Sequence, residues 1–391
     1  MTKEQAVQRA IKLAEFIAPR AIETEERRRL ADETVAEIVN SGLVEALVPE
    51  RWGGAGLDWD TLVETSAEIG KVCGSTAWCF SFFVGHTWLV GQFGAEVQQK
   101  VWGPGPRTLF GTSFAPGGKA RRVAGGYRLS GRWSWASGID HCAWIALSGI
   151  VPPESPGDAP AMMLFTVPRR DFRIEDVWRA AGMRGTGSND VLIDDALVPA
   201  EFAIPFADTL SGSAIGVELN PGRFWRTPFV CGFPLLLIGP ALGIAQGAYN
   251  FFVDWMKVKA HAYTGASLAD QAPLQIRIAE SGAEIDAAAL VIDRAIDRMK
   301  NVGSIEELRS LPFRARNYRD YVLALQMLVR AVDRMFAVAG ARAFVSANPM
   351  QRHWRDIHTV ASHIGLTADP VYEAFGRLEL GLPPNPRNAM Y

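Results

Sequence analysis

Three of the six histidines of this 391-residue chain lie in one short segment near its carboxyl end, HWRDIHTVASHIGL. They are His353, His358 and His363, each five residues after the last, and histidine both binds metals and moves protons. On a helix, five residues advance about 500°, so neighbouring side chains point about 140° apart, whereas two metal ligands on one helix need a spacing of three or four. The spacing therefore predicts no metal site, and each histidine needs its own explanation.

A fourth histidine, His86, lies in the aromatic segment SFFVGHTW at residues 81–88. A lone histidine in such a segment is more often a hydrogen-bonded core residue than a catalytic base. The chain also has no GxSxG motif and no ordered Ser, Asp and His set, so a hydrolase is not indicated. The residues alone leave both interpretations of His86 open.

Two segments rich in aromatic residues and hydroxyls could bind a flat ligand. In GRWSWASGIDH, residues 131–141, strand alternation puts Trp133, Trp135 and Ser137 on one face. Two indoles with a hydroxyl beyond them suit an aromatic cofactor, but the core of a β-sheet has the same pattern. Thr112 and Ser113 fall where a strand runs into a turn, so their hydroxyls could bind a ligand or stabilise the turn.

The composition is that of an ordinary globular protein, with 48% hydrophobic and 21% charged residues. A net charge of −2 provides no field for nucleic acid, so no nucleic-acid partner is expected. The four cysteines show neither a CxxC motif nor zinc-ligand spacing, which favours a reducing, cytoplasmic compartment. The N-terminal segment is amphipathic and lacks the apolar core of a signal peptide.

One apolar run needs a separate explanation. Residues 228–245 contain no charge and are nearly long enough to span a membrane. Pro234 and Pro240 interrupt the run, and a helix buried in a bundle has the same hydropathy. We therefore expect a buried helix and no membrane span.

The order of elements predicts three parts. Helical patterns fill the first part, and short alternating segments follow at residues 108–114, 127–134, 143–148 and 161–167. Four long helical patterns then indicate an antiparallel bundle, at residues 239–262, 275–299, 314–337 and 349–366. The predicted fold is α+β and mostly α, with an N-terminal helical domain (1–106), a middle antiparallel β domain (107–218) and a C-terminal four-helix bundle (219–391).

Several motifs together resemble the acyl-CoA dehydrogenase fold. They are VPERWGGAGL at residues 48–57, GMRGTGS at 182–188 followed by VPAE at 198–201, and WAS at 135–137. Those dehydrogenases carry a catalytic Glu in a Tyr-Glu-Gly-Thr context some residues after an Arg-Asp pair. Here Arg355-Asp356 is followed at that place by His363-Ile364-Gly365. Without a carboxylate to remove the α-proton of an acyl thioester, acyl-CoA oxidation is disfavoured.

The positions at which this sequence differs from the dehydrogenases match one branch of the fold. The chain resembles the group D, two-component flavin-dependent monooxygenases, which include p-hydroxyphenylacetate 3-hydroxylase oxygenases and bacterial steroid-type (3-HSA) hydroxylases. The shared features are VCGSTAW at residues 72–78, His86 in the helix that follows, WSWASGIDH at 133–141, RGTGSN at 184–189, and WRD at 354–356 with His358 and His363.

The resemblance implies a reaction. Reduced flavin, FMNH2 or FADH2, comes from a separate NAD(P)H-dependent reductase and reacts with O2 to give a C4a-hydroperoxide, which hydroxylates an aromatic, phenolic small molecule. A homotetramer in the cytoplasm is implied as well. Alternatives stay open: an acyl-CoA dehydrogenase-like flavoprotein, a monooxygenase acting on indole, a thiophene sulfur or an amine nitrogen, and a flavin-binding protein without activity.

The resemblance also implies roles for three catalytic residues. Ser137 is expected near flavin N5, where its hydroxyl can hold the proton whose loss would expel peroxide. His86 is expected at the substrate phenol, as base or phenolate partner. His363 is expected over the reacting edge of the flavin, to steady or protonate the peroxide.

Further residues are expected to bind the two ligands. Flavin contacts are implied for Trp135, Thr112, Ser113 and Arg184, in addition to Ser137 and His363. Substrate contacts are implied for Thr112 and Trp88, in addition to His86. Residues 260–265 and 339–342 correspond to the segments that hold the adenosine half of FAD in the dehydrogenases, but they do not match those motifs. The choice between FMN and FAD therefore stays open.

Overall fold

The computed structural model describes residues 1–153, 155, 159–261 and 263–385. Its N-terminal part consists of the helices α1 (Lys3–Ile17), α2 (Ala21–Arg27), α3 (Asp32–Asn40), α4 (Trp59–Gly70), α5 (Gly74–Val90) and α6 (Ala95–Trp102). Helix α5 is buried along its whole length. It is apolar on every side, which is typical of a helix enclosed by other elements. Any polar side chain on α5 therefore faces the protein interior.

The middle part is a seven-stranded sheet in the order β5-β6-β2-β1-β3-β4-β7. Its strands are β1 (Phe110–Val123), β2 (Gly126–Ala136), β3 (Trp144–Val151), β4 (Ala161–Pro168), β5 (Arg173–Glu175), β6 (Asn189–Pro199) and β7 (Ala203–Pro205). The predicted antiparallel domain is confirmed in its main character, but β1 and β3 pair in parallel. Alternation of apolar residues identifies a strand but not the direction of its neighbour, and β3 lies beside β1 rather than beside β2.

The C-terminal part packs α8 (Phe229–Val258) with α9 (Ala272–Asn301), α11 (Leu311–Val338) and α12 (Pro349–Ala361). The predicted four-helix bundle is thereby confirmed. Shorter helices α7 (Phe206–Ser211) and α10 (Ile305–Arg309) precede α8 and α11, and α13 (Ala368–Glu379) packs on α11. By length and composition α8 could cross a membrane, yet 94% of its most apolar window is buried inside the protein.

Helix α8 begins at Phe229 rather than at residue 239, and Pro234 and Pro240 lie inside it. A proline inside a helix leaves the carbonyl four residues earlier without its N–H donor. For Pro240 that carbonyl belongs to Leu236, and the Ser81 hydroxyl of α5 donates to it at 2.8 Å. A neighbouring helix thus replaces the missing hydrogen bond, which allows the helix to continue through the proline.

Helix α12 ends at Ala361, whereas the sequence pattern predicts helix to residue 366. Only His353 and His358 lie on it, and His363 begins the short 3-10 turn that follows. His353 is buried, and His358 Nε2 lies 2.8 Å from Asp333 Oδ1. His353 therefore lies in the core, His358 faces Asp333 of α11, and the three histidines have different surroundings.

Two side chains of α12 join the three parts of the chain. The Arg355 guanidinium pairs with Glu25 of α2 at 2.8 Å and also donates to the Ala181 carbonyl oxygen. The Asp356 carboxyl accepts the Met183 backbone N–H at 2.6 Å. The turn at residues 181–186 is therefore held by the C-terminal bundle, and this turn continues into the candidate site.

The buried Asp356 carboxyl has a testable effect on stability. Burial raises its pKa to about 7, so ionisation opposes folding, and its contribution to the free energy of unfolding falls as the pH rises from about 4 to about 7. Asp356→Asn keeps an oxygen acceptor for the Met183 N–H but cannot ionise. Its melting temperature should exceed that of the wild type at pH 8, and the difference should shrink toward pH 5. A difference that does not change with pH would contradict the buried, ionisable carboxyl.

Candidate active site

One face of α5 carries the first group of candidate residues. Trp78, Phe82 and His86 follow at intervals of four residues and therefore stack along the helix. The Phe82 ring lies 5.1 Å from the Trp78 ring and 5.1 Å from the His86 ring. Trp78 and Phe82 were missed as site residues from the sequence, although their spacing from His86 was a readable signal.

The hydrogen bonds of His86 define which ring nitrogen carries the proton. Nδ1 lies 2.6 Å from the Phe110 carbonyl oxygen of β1, so Nδ1 must donate. Nε2 is buried and has no hydrogen-bond partner among the described residues. Burial lowers the pKa of His86 to about 4, so the ring is neutral at pH 7. The Nε2 lone pair is therefore available as an acceptor, as a general base requires.

His363 has the opposite arrangement. Its Nδ1 accepts the Gly365 backbone N–H at 3.0 Å, so the proton of the neutral ring lies on Nε2. Burial lowers the pKa of His363 to about 4 as well. The ring lies 5.8 Å from the Trp78 ring and 6.4 Å from the Phe233 ring. His363 therefore offers a hydrogen-bond donor at the Trp78 end of the α5 face, away from His86.

Ser137 joins this group through Trp78. The residue follows β2 directly and is half-buried. The Trp78 indole N–H donates to Ser137 Oγ at 2.9 Å. The structure thus brings the three predicted catalytic residues, His86, Ser137 and His363, around one pair of aromatic side chains, Trp78 and Phe82.

An apolar surface continues from Phe82. We call Phe82, Phe114, Phe206, Phe229 and Phe233 the aromatic cluster. Its closest ring pair, Phe229 and Phe233, has centroids 4.7 Å apart, and the Phe82 and Phe233 centroids are 6.1 Å apart. Phe114 contacts Phe206, Phe229 and Phe233, so β1 and α8 form one surface with α5. Such a surface excludes water and suits a planar, apolar ligand.

Two polar side chains border the aromatic cluster without partners. Thr112 precedes Phe114 on the same face of β1, and the Trp88 ring lies 6.3 Å from the Phe229 ring. Thr112 Oγ1 and Trp88 Nε1 are buried, and neither finds a hydrogen-bond partner in the described part of the chain. Buried polar groups in folded proteins are nearly always hydrogen-bonded. Together with His86 Nε2, these atoms are candidates for hydrogen bonds to a ligand.

The predicted single face of Trp133, Trp135 and Ser137 is wrong. Trp133 is fully buried, and its indole N–H donates to the Ser148 carbonyl oxygen. Trp135 has a left-handed backbone with φ of 65° and is 69% exposed. The pairing of β2 with β6 shifts its register between residues 133 and 136, which breaks the alternation. Trp135 alone presents an open indole surface, two residues before Ser137.

Ser113 and Arg184 have other surroundings. The Ser113 hydroxyl donates to the Ser134 carbonyl oxygen at 3.1 Å, which ties β1 to β2. The Arg184 side chain is exposed and lines a surface pocket with Arg28 and Trp178. Flavin contacts of these two residues stay predictions.

The residues present fit a flavin. Ser137 and His363 supply hydrogen-bonding groups, Trp135 supplies a flat exposed surface, and the aromatic cluster supplies an apolar region beside them. The unpartnered atoms of His86 and Thr112 then stay free for a second molecule. Within the described ranges, no group of three His, Cys, Asp or Glu side chains could hold a metal ion.

Comparisons with known proteins identify the family of this chain. Residues 3–106 match the acyl-CoA dehydrogenase N-terminal domain, and residues 235–368 match the acyl-CoA dehydrogenase C-terminal domain. Over 382 residues the chain is 34% identical to the oxygenase subunit HsaA of a flavin-dependent monooxygenase from Rhodococcus jostii (strain RHA1), covering 96% of this chain and 98% of that protein.

Another relative is the oxygenase component of an FADH(2)-dependent resorcinol hydroxylase from Rhizobium sp. (strain MTP-10005). It is 33% identical over 393 residues, with 97% of this chain and 94% of the relative covered. The crystal structure of 3-HSA hydroxylase from Rhodococcus sp. RHA1 superposes with a TM-score of 0.91 at 32% identity, over 98% of this chain and 99% of that one.

The matched domains and the order of helices, sheet and bundle define a protein of the acyl-CoA dehydrogenase fold. Within that fold, the chain belongs to the oxygenase components of the two-component flavin-dependent monooxygenases. The predicted fold class and the predicted class of enzyme are thereby confirmed.

The opposite tautomers of the two histidines can be measured by NMR of protein labelled with 15N-histidine. His86 should show a proton on Nδ1 and His363 a proton on Nε2. Neither ring should take up a second proton between pH 8 and about pH 5, because both pKa values lie at about 4. The variants His86→Ala and His363→Ala assign the signals. A ring that titrates near its ordinary pKa would contradict the burial described here.

Proposed function

We propose that the protein transfers one oxygen atom from O2 to the ring of an uncharged phenol, using reduced flavin. The observation that carries this proposal is the neutral His86 ring, whose Nε2 lone pair is buried, unpaired and bordered by the aromatic cluster. The Rhizobium relative supports it, because that protein is named a resorcinol hydroxylase and resorcinol is a phenol. Both FMNH2 and FADH2 are retained as candidates for the flavin.

His86 acts on the phenol in this proposal. Its Nε2 accepts the hydrogen bond of the phenol hydroxyl and takes the proton as the ring is attacked. Loss of that proton moves electron density onto the ring carbons ortho and para to the oxygen, which favours attack by an electrophilic oxygen. The phenolate and the protonated His86 then attract each other strongly, because their surroundings have a low dielectric constant. Thr112 Oγ1 and Trp88 Nε1 are further hydrogen-bonding groups for the substrate.

The aromatic cluster favours a substrate without a permanent charge. Burying an ionised group in an apolar region costs far more free energy than burying a neutral one, unless a partner is present. The described rings of the cluster contact other aromatic rings, and none of the described Lys or Arg side chains lies over them. A carboxylate on the substrate would therefore find no cation stacked on these rings.

Reduced flavin, when bound, would supply the two electrons that activate O2, so that one oxygen atom enters the phenol ring and the other leaves as water. Trp135 provides a surface for its ring, and Ser137 provides a hydrogen-bonding oxygen at its nitrogen edge. The His363 Nε2–H donates to the reacting oxygen atoms and stabilises the negative charge that develops on them. The aromatic cluster keeps water away from the same place.

A two-component system requires a second protein. We propose an NAD(P)H-dependent flavin reductase that delivers reduced flavin by diffusion or transient contact. We also propose a homotetramer built through the C-terminal helices, with units at residues 1–106, 107–218 and 219–391. The four free, buried cysteines suit a reducing compartment, which supports a cytoplasmic location.

Substitution of His86 tests the function itself. With a flavin reductase, NADH and a panel of uncharged and carboxylated phenols, the wild type should form hydroxylated product, mainly from the uncharged members. His86→Ala should lose product formation by about a hundredfold while O2 consumption continues, and the lost turnover should appear as hydrogen peroxide. His358→Gln is the matched control, since His358 pairs with Asp333 outside the site. Unchanged product from His86→Ala, or no product from the wild type with any phenol, would refute the proposal.

Substitution of His363 tests the donor at the other end of the site. His363→Ala removes the Nε2–H group, so a larger share of NADH should end as hydrogen peroxide with every substrate. His363→Gln keeps an N–H donor and should recover part of the coupling. The measurement is product formed per NADH consumed, with protein folding checked by circular dichroism. If both variants couple NADH to product as the wild type does, His363 has no part in the oxygen chemistry.

A further inference from the structure

A chain of three hydroxyl groups runs from Ser137 into the protein interior. Ser137 Oγ lies 2.8 Å from Ser188 Oγ, and Ser188 Oγ lies 2.7 Å from Thr186 Oγ1. The Thr186 hydroxyl donates to the Met183 carbonyl oxygen at 3.1 Å. Ser188 and Thr186 are buried, whereas Ser137 is half-buried at the candidate flavin site. The chain therefore connects a ligand-facing hydroxyl with a backbone acceptor.

The outer end of this chain has one fixed bond. The Trp78 indole N–H can only donate, so it occupies one lone pair of Ser137 Oγ. A hydroxyl has one proton and two lone pairs, so Ser137 retains one proton and one lone pair. One of them is used in the bond with Ser188, and the other is left for a ligand. The direction of the hydrogen bonds between the three hydroxyls decides whether a ligand meets the proton or the lone pair of Ser137.

The Met183 carbonyl favours one direction. When Ser137 donates to Ser188, Ser188 donates to Thr186 and Thr186 donates to Met183, so all three hydroxyl protons have acceptors within the protein. In the reverse direction Thr186 donates to Ser188 and Ser188 donates to Ser137, so the Ser137 proton needs an acceptor other than these hydroxyls. The Met183 carbonyl is held in place by the Trp178 indole N–H at 2.9 Å. The backbone N–H of Met183 is held by Asp356.

We propose that Ser188 and Thr186 are positioning residues that turn the Ser137 lone pair toward the flavin, so that the site binds reduced flavin in preference to oxidised flavin. The inference rests on the proposed function, in which Ser137 meets the nitrogen edge of the flavin. Reduced flavin carries a hydrogen on N5 and can donate to a lone pair, whereas N5 of oxidised flavin can only accept. A Ser137 that presents its lone pair therefore forms a hydrogen bond with reduced flavin but not with N5 of oxidised flavin.

The test compares dissociation constants of reduced and oxidised FMN and FAD, measured anaerobically and aerobically on the intact protein. In Ser188→Ala the Ser137 proton loses its inner acceptor and turns toward the ligand. Reduced flavin should then bind about tenfold more weakly, while oxidised flavin binds equally well or better. The midpoint potential of bound flavin should fall by about 30 mV, which corresponds to that tenfold change for two electrons.

Three further variants separate positioning from general damage. Thr186→Val should shift the ratio of the dissociation constants of reduced and oxidised flavin in the same direction, because the Ser188 hydroxyl then has no inner acceptor. This variant serves as the test if Ser188→Ala does not fold. Ser188→Thr keeps the hydroxyl and should retain the wild-type ratio. Ser148→Ala removes another buried hydroxyl of the sheet, which donates to the Ala115 carbonyl oxygen, and should leave the ratio unchanged.

The outcomes distinguish this inference from the proposed function. Equal changes in both dissociation constants, or a Ser188→Thr protein that behaves like Ser188→Ala, would overturn the positioning role. A wild type that binds reduced flavin and hydroxylates phenols, together with an unchanged ratio in Ser188→Ala and Thr186→Val, would reject the hydroxyl chain alone. A wild type that binds no reduced flavin would reject both.

Discussion

The hydrogen bond from the Trp78 indole to Ser137 is the contact on which the site depends. Trp78 belongs to a buried helix of the N-terminal part, and Ser137 follows a strand of the sheet. His363, whose ring packs on Trp78, follows the last helix of the bundle core. Each of the three parts therefore contributes one group to the same place. An indole suits this position, because its ring packs in the core while its single N–H fixes one oxygen.

Backbone groups, rather than charged side chains, place the ring proton on different nitrogens in the two site histidines. Both rings have a pKa of about 4 because burial disfavours their charged form. The Phe110 carbonyl holds the His86 proton on Nδ1, and the Gly365 N–H keeps the His363 proton on Nε2. One ring is thus an acceptor and the other a donor at the same pH. Neither ring has to gain or lose a proton to present these two different hydrogen-bonding groups.

The order of helices, sheet and bundle could be predicted from hydrophobic periodicity. The resemblance indicated His86, Ser137 and His363 as candidates, and the structure brings these three together around Trp78 and Phe82. What could not be predicted depends on contacts between elements distant in sequence. Ser81 restores the hydrogen bond that Pro240 removes, so helix α8 starts earlier than its own residues indicate. The left-handed backbone of Trp135 follows from the register shift between β2 and β6, which no alternation of residues reveals.

The replacement of a carboxylate by histidine follows from the same low dielectric constant. Burial raises the pKa of Asp356 to about 7 in this protein, so a catalytic Glu beside the aromatic cluster would also resist ionisation. If it did ionise, its charge would oppose the phenolate that oxygen transfer requires. In the proposed reaction a neutral imidazole accepts the phenol proton and becomes the counter-charge of the phenolate. Because that imidazole lies on α5 and His363 lies beyond Trp78, the proposed proton acceptor and the proposed donor to oxygen are separated in space, so one apolar site has room for both.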